Sequence, residues 1–386
     1  MTRVQVRMAV RTRSTHQVLR GISLCLWGLP IGVYLLVAVL LWSGGGYEVT
    51  GDEPHYLRIT ESLVADGDFL VANNLQIRLE GALLSDELTG HVLDNGGSVH
   101  SVGLALILVP AYWAAGALGA KIWLVLLAGL WPVVLYRAMR TMGLSRAWAG
   151  CLALVLSLGL PFVMASNQLY PDLLAGMIMI AWLPWLHIRF AAAAIALAIA
   201  TGVVAARHRS VIPGRRWLLR LATASLVVSW ALLVYYGYSC SGSILGPKGF
   251  VESLSNQFEK LTAIFLGLHL DQRQGLFLQQ PLMLLGLVGL SRFVSTNWRL
   301  AFLTVVVYMS ILVPNAMHPN AFGGYSFVGR YWWAAAALWV LPLSCAANLL
   351  LIRCGRAGRI VLGLSCVLSL AWQAALASTY LLDPAL

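Results

Sequence analysis

Two adjacent carboxylates followed by a proline, a histidine and a tyrosine, Asp52-Glu53-Pro54-His55-Tyr56, are the most reactive short constellation in this chain of 386 residues. Such a pair can serve as a general base or hold a metal ion, and partial burial under apolar helices would tune its pKa. The same residues also suit a plain helix start, because Pro54 favours a first turn and Asp52 or Glu53 can cap it. A third acid, Asp172, follows Tyr170-Pro171, where it too reads as a helix cap after a tight turn. His55, His91, His100, His269 and His318 supply imidazoles. A divalent metal ion is the one cofactor in view, with Glu53 and His55 its nearest ligands in sequence. No HxxxH or DxD spacing compels that choice, and a lone histidine in a wet loop is more often a surface residue.

The elements that must position these groups are apolar. Hydrophobic residues make up 59% of the chain and charged ones only 11%, against about a quarter charged in soluble domains. A soluble enzyme and a disordered tail are excluded. Apolar runs predict an all-α, polytopic helical bundle with membrane spans near 21–42, 120–138, 147–166, 172–188, 217–237, 276–292, 299–315, 331–350 and 360–380. Two stretches, 101–119 and 190–206, sit at the short end for a span, which gives about 9–11 spans. The first run is too long for a signal peptide and is expected to stay as a helix. No repeat or linker divides residues 1–386, so they read as a single membrane domain. The cysteines, mostly inside apolar runs, offer no disulfide framework and no zinc spacing.

Charge sorts the topology. The net charge of +11 follows from basic residues on cytoplasmic loops rather than from nucleic-acid binding. With the N-terminus cytoplasmic and neither short stretch crossing, nineteen arginines, Arg189 and Arg207 to Arg220 among them, fall on the cytoplasmic side with no acid. All 15 acids then lie outside, ten of them in the long loop 43–100. A loop of that length in a compact protein is usually functional. Segment 101–119 is placed as an interfacial helix, so that 43–119 forms one outer unit. Segment 190–206 is read as a shallow hairpin or a half-helix. The outer cations are few: Arg58, Arg78, Lys121, Lys248, Lys260, Arg273 and Arg330.

An acidic pair at the start of the first outer loop resembles the hallmark of the GT-C superfamily of membrane glycosyltransferases, which includes the protein mannosyltransferases and the aminoarabinose transferase of lipid A. Other segments agree in order. Residues 100–116 (HSVGLALILVPAYWAAG) look like the interfacial helix, 169–172 (LYPD) like the second acidic motif, and 268–277 (LHLDQRQGLF) and 324–333 (GGYSFVGRYW) like outer-loop segments of bacterial members. The chain is short for that superfamily, with nothing left over for a soluble C-terminal domain. The resemblance implies transfer of a sugar from a polyprenyl-phosphate donor to an acceptor hydroxyl, inverting, on the periplasmic or exterior face of a bacterial inner (plasma) membrane. The acceptor stays open between glycan, lipid, protein and small metabolite, and membrane lipids are the remaining partners. Asp52 would be the general base, and Asp172 would assist it or bind a sugar hydroxyl. Glu53 would orient the acceptor or help hold a metal, and His55, Tyr56, His100 and Tyr325 would line the substrate site. The departing phosphate needs a cation, and a guanidinium offers a bidentate fork. Arg330 is the first choice and Arg273 the second. Their blander readings are interfacial snorkelling and a local ion pair. Tyr235, Tyr236, Tyr238, Tyr325 and Tyr331 read mainly as a membrane belt, and otherwise as platforms for a sugar ring.

A transporter or flippase of lipid-linked sugars is the alternative. Against it, no ionisable residue sits at the centre of a secure span and no inverted repeat is visible. A non-catalytic scaffold would leave the gathering of acids and scarce arginines on one side unexplained.

Overall fold

A computed structural model describes residues 26–41, 43, 51–74, 91–177, 183–207, 215–242, 258–271, 275–317 and 330–382. Among these residues every regular element is helical, and the sole β pairing is an isolated antiparallel bridge between Val92 and Ser98. The helices are α1 Leu26–Leu41, α2 Glu53–Ala65, α3 Gly103–Ala128, α4 Trp131–Thr141, α5 Arg146–Ser157, α6 Phe162–Ala165, α7 Pro171–Ala175, α8 Leu183–Leu186, α9 Ala191–Arg207 and α10 Arg215–Ser241. They continue as α11 Phe258–Leu270, α12 Leu276–Gln279, α13 Leu285–Thr296, α14 Trp298–Ala316, α15 Trp333–Arg353 and α16 Gly355–Leu382. Four runs of the described residues are long and apolar enough to cross a membrane: Gly103–Thr141, Trp298–Ala316, Arg330–Arg353 and Gly355–Leu376.

Large apolar side chains point outward along α1 (Trp27, Leu36), α10 (Val227, Leu232) and α16 (Leu364, Leu368). Exposed apolar faces of this extent suit lipid rather than water. Inside, helices approach through small residues, as expected where lipid removes the hydrophobic drive between helices. A Cβ on Gly286 would run into the Trp339 indole, and one on Gly289 into the Pro342 carbonyl and the Ala346 amide, so α13 lies directly on α15. Polar side chains close the remaining gaps. Gln373 on α16 accepts from the Leu160 amide at 2.6 Å, and Gln280 accepts from the Ser369 hydroxyl at 2.8 Å.

Segment 101–119 is a helix that ends before the following span. The backbone breaks at Ala115 and Gly116, where Gly116 has φ +58°, a value open mainly to glycine. The chain after α4 departs from expectation in two places. The predicted span 172–188 is not one helix: α7 stops at Ala175, α8 is a single turn, and Arg189 forms an ion pair with Asp172. Two residues in contact cannot lie on opposite faces of a bilayer, so an outer Asp172 and a cytoplasmic Arg189 do not stand together. Segment 190–206 is not a hairpin but the continuous helix α9 of 17 residues, about 25 Å long and at the lower limit of a span. The outer loop expected at 238–275 also holds a helix, α11.

Candidate functional site

Asp52 sits immediately before α2, with Pro54 in the first turn. Its side chain makes no capping bond to the helix, which sets aside the capping role. Instead its Oδ2 accepts from the Arg330 guanidinium at 2.6 Å, across 278 residues of sequence. Arg330 also donates through Nε to Asp172 Oδ2 at 3.0 Å. Asp172 lies in the first turn of α7, likewise without a capping bond, and its second oxygen is held by Arg189. Two acids and two arginines thus form one chain, Asp52–Arg330–Asp172–Arg189, of zero net charge. Asp172 is fully buried, whereas the Asp52 side chain keeps 27% exposure. Asp52 is therefore the member that a molecule entering from outside the bundle can reach.

The scaffold fixes each participant. Arg330 opens a 3-10 turn, Arg330–Trp332, whose Tyr331 carbonyl accepts from Asn315 Nδ2 at 2.7 Å. Its guanidinium stacks on the Tyr170 ring, 4.0 Å from the centroid, a favourable cation–π geometry. The Leu173 carbonyl on α7 accepts from Trp131 Nε1 at 3.1 Å. Arg189 lies between the rings of Phe190 and Tyr331, at 5.1 and 5.2 Å, and its Nε is buried with no hydrogen-bond partner. Glu53 points away from Asp52. Its Oε1 accepts from the Leu169 amide at 2.7 Å and stands 3.6 Å from Lys121 Nζ, so it ties α2 to the loop that carries Tyr170.

Beside Asp52 lies a second cluster. His55, in the first turn of α2, stacks on His91 at 4.2 Å and on His100 at 4.6 Å between ring centroids. His91 Nδ1 and His100 Nε2 are 2.8 Å apart. A tight turn pairs these two residues: Leu93 accepts from the Gly96 amide at 2.8 Å, Gly96 has φ +83°, and the Val99 amide returns to the His91 carbonyl at 3.1 Å. The left-handed glycine lets the chain reverse within this tight hairpin. Tyr56, also fully buried, meets His100 edge to face at 5.4 Å, and its hydroxyl has no hydrogen-bond partner.

The charges shift one another. Burial works against the Asp52 anion, but Arg330, His100 and His55 outweigh it and hold the carboxyl well below the usual carboxylate range. Burial, reinforced by the neighbouring imidazoles, lowers His55 to about 3. For His100, burial again dominates over the opposing pull of Asp52, and the value falls to about 4. Burial first, and the Asp52 charge second, push the Tyr56 hydroxyl up.

Of the residues singled out from sequence, Asp52, Asp172 and Arg330 are brought into direct contact, and His55, Tyr56 and His100 lie beside them. Arg273, Tyr325 and His318 lie outside the described residues. Of the two metal candidates, Glu53 accepts from the Leu169 amide and pairs with Lys121, while His55 gathers with His91 and His100. His269 bonds Tyr308 and the Phe265 carbonyl. Tyr235 and Tyr238 are exposed, as belt residues are, and Tyr236 packs on Phe69 and Trp185. Sequence reasoning did not join Arg189 to Asp172, because charge counting assigned the two to opposite faces. Comparison of the chain with protein-family models, with curated proteins and with solved structures finds no match.

Proposed function

We propose that this multi-pass membrane protein is a glycosyltransferase of GT-C type. It moves a sugar from a polyprenyl phosphate to an acceptor hydroxyl at the extracytoplasmic face of a bacterial plasma membrane. The observation that carries this reading is the bridging of Asp52 and Asp172 by one arginine, with only Asp52 open to an incoming molecule. A lipid phosphate is already a good leaving group. The protein must therefore supply one base for the acceptor proton and cations for the departing phosphate. The exposed edge of Asp52 is where an acceptor hydroxyl would arrive. Arg330 and Arg189 supply the cationic charge, and the buried Nε of Arg189 is a donor still to be used. Glu53 and Lys121 are positioning residues that hold α2 against the Tyr170 loop.

The test is an in vitro transfer assay with a panel of prenyl-phosphate sugars and simple hydroxyl acceptors. Wild-type protein is expected to transfer sugar from at least one donor. Asp52→Asn should lower turnover by about two to four orders of magnitude, the usual worth of a general base, while donor binding persists. An Asn variant with full turnover would overturn the base assignment. Wild-type protein that moves the donor across vesicles but never cleaves it would overturn the enzyme reading in favour of a flippase.

A further inference from the structure

We propose that His55, His91 and His100 bind one divalent transition-metal cation of the zinc type, with the fourth coordination position open to the adjoining pocket that His55 and His91 line. One ligand atom from each of the three lies within 4.8 Å of the others, and His55 is buried while its two partners are half-buried. The residues come from two elements fixed independently. His55 is held by the first turn of α2, and His91 and His100 by opposite arms of the hairpin closed at Gly96. The hairpin is anchored in turn, since the Gly96 carbonyl accepts from the Ala72 amide at 3.1 Å and Asn95 Nδ2 donates to the Ser239 carbonyl at 3.1 Å.

The donor set selects the metal. Three imidazole nitrogens suit zinc, cobalt, nickel or copper, whereas magnesium and calcium require mostly oxygen. Zinc–nitrogen bonds of about 2.0–2.1 Å place tetrahedral ligands about 3.3 Å apart. The widest-spaced ligand atoms must therefore close by up to about 1.5 Å, the His91 and His100 nitrogens, now 2.8 Å apart, must open slightly, and the His55 ring, parallel to His91 within 11°, must turn to aim a nitrogen at the common point. Three protein ligands with one open position is the pattern of reactive rather than purely structural zinc sites. The adjoining pocket is lined by His55, Arg58, Val71, His91, Val92 and Ser98. Arg58 gives that space a positive wall, which favours water or an anion over a further cation as fourth ligand.

The site stands whether or not the protein transfers sugars, and its test does not measure transfer. Protein carrying no polyhistidine tag would be stripped with chelator in detergent, dialysed against Zn2+, Co2+, Mg2+ or Ca2+, desalted, and assayed for metal by mass spectrometry. Wild-type protein is expected to retain about one Zn2+ or Co2+ per chain and no Mg2+ or Ca2+. The cobalt form should show the intense visible absorption of a tetrahedral complex, and His91→Ala and His100→Ala should each lose both signals. Equal retention by wild type and folded variants would overturn the proposal. So would a folded wild type that retains no metal, which would leave the three rings as a packed stack. Should the variants fail to fold, the wild-type cobalt spectrum decides alone: a tetrahedral band supports the site, and its absence overturns it.

Discussion

Replacing Arg330 with methionine removes the guanidinium that joins two carboxylates while keeping much of its length. Truncating one partner of a buried ion pair costs about 3–5 kcal/mol, because the charge left behind is poorly solvated. Here Asp172 retains Arg189, and Asp52 has 27% of its side chain exposed to take up water. The loss should therefore fall at the lower end, about 3 kcal/mol. Unfolding entropy of about 2.1 cal/mol/K per residue over 386 residues is about 0.8 kcal/mol/K, so the apparent Tm should drop by about 4 °C. Asp172→Asn should cost more, about 5 kcal/mol and about 6 °C, since it leaves two arginines facing one half-exposed acid. The decisive variant is the double change Arg330→Met with Asp52→Asn. It leaves the Asp172–Arg189 pair intact and neutral, so it should melt above the Arg330→Met single. Thermal unfolding of detergent-solubilised protein, followed by tryptophan fluorescence, measures all three variants against wild type. A double variant that melts at or below the Arg330→Met single would refute the claim that the four groups act as one neutral unit.

Three further outcomes are expected. His55 and His100 have folded-state values near 3 and 4, below the 6.5 of a free imidazole. The unfolded chain therefore binds more protons below pH 6.5, and their stabilising effect, complete above that pH, is lost as pH falls toward 4. Melting curves of metal-free protein should show this steep loss, and His100→Gln should flatten it; an unchanged slope would sink the assignment. Glu53→Leu should destabilise by about 2–3 kcal/mol through the lost charged bond to Leu169 and the stranded Lys121, and Glu53→Gln, which keeps an acceptor, by clearly less; equal chemical-denaturation midpoints would contradict this. Gly289→Val should disrupt the α13–α15 contact and cut the yield of monodisperse protein, whereas Gly150→Ala, with open space around its Cβ, should leave yield unchanged in size-exclusion profiles.

The acids and Arg330 were legible in the sequence because each combines a charge with a span boundary or a turn, Asp52-Glu53-Pro54 and the glycines before Arg330 being the clearest. Their mutual contact was not legible, since it joins positions up to 278 residues apart. His91 and His100 stand nine residues apart, a spacing with no helical or extended meaning, and only the left-handed glycine at 96 makes them neighbours. Glu53 shows the opposite limit. Adjacency to Asp52 suggested a shared task, but successive residues at a helix start point about 100° apart, and the second acid faces Lys121. Helix α11 escaped because its 13 residues fall below the length at which an apolar run reads as a span.

The Asp172–Arg189 contact has a consequence for how such chains are mapped. If α9 rather than 172–188 makes the crossing, the parity of every later loop is unchanged and the arginines from Arg207 onward keep their side. Counting basic residues is a parity check, blind to an exchange between adjacent segments. A fusion reporter spliced near Arg189 would register the swap, because it should report the same compartment as one placed near Gly51.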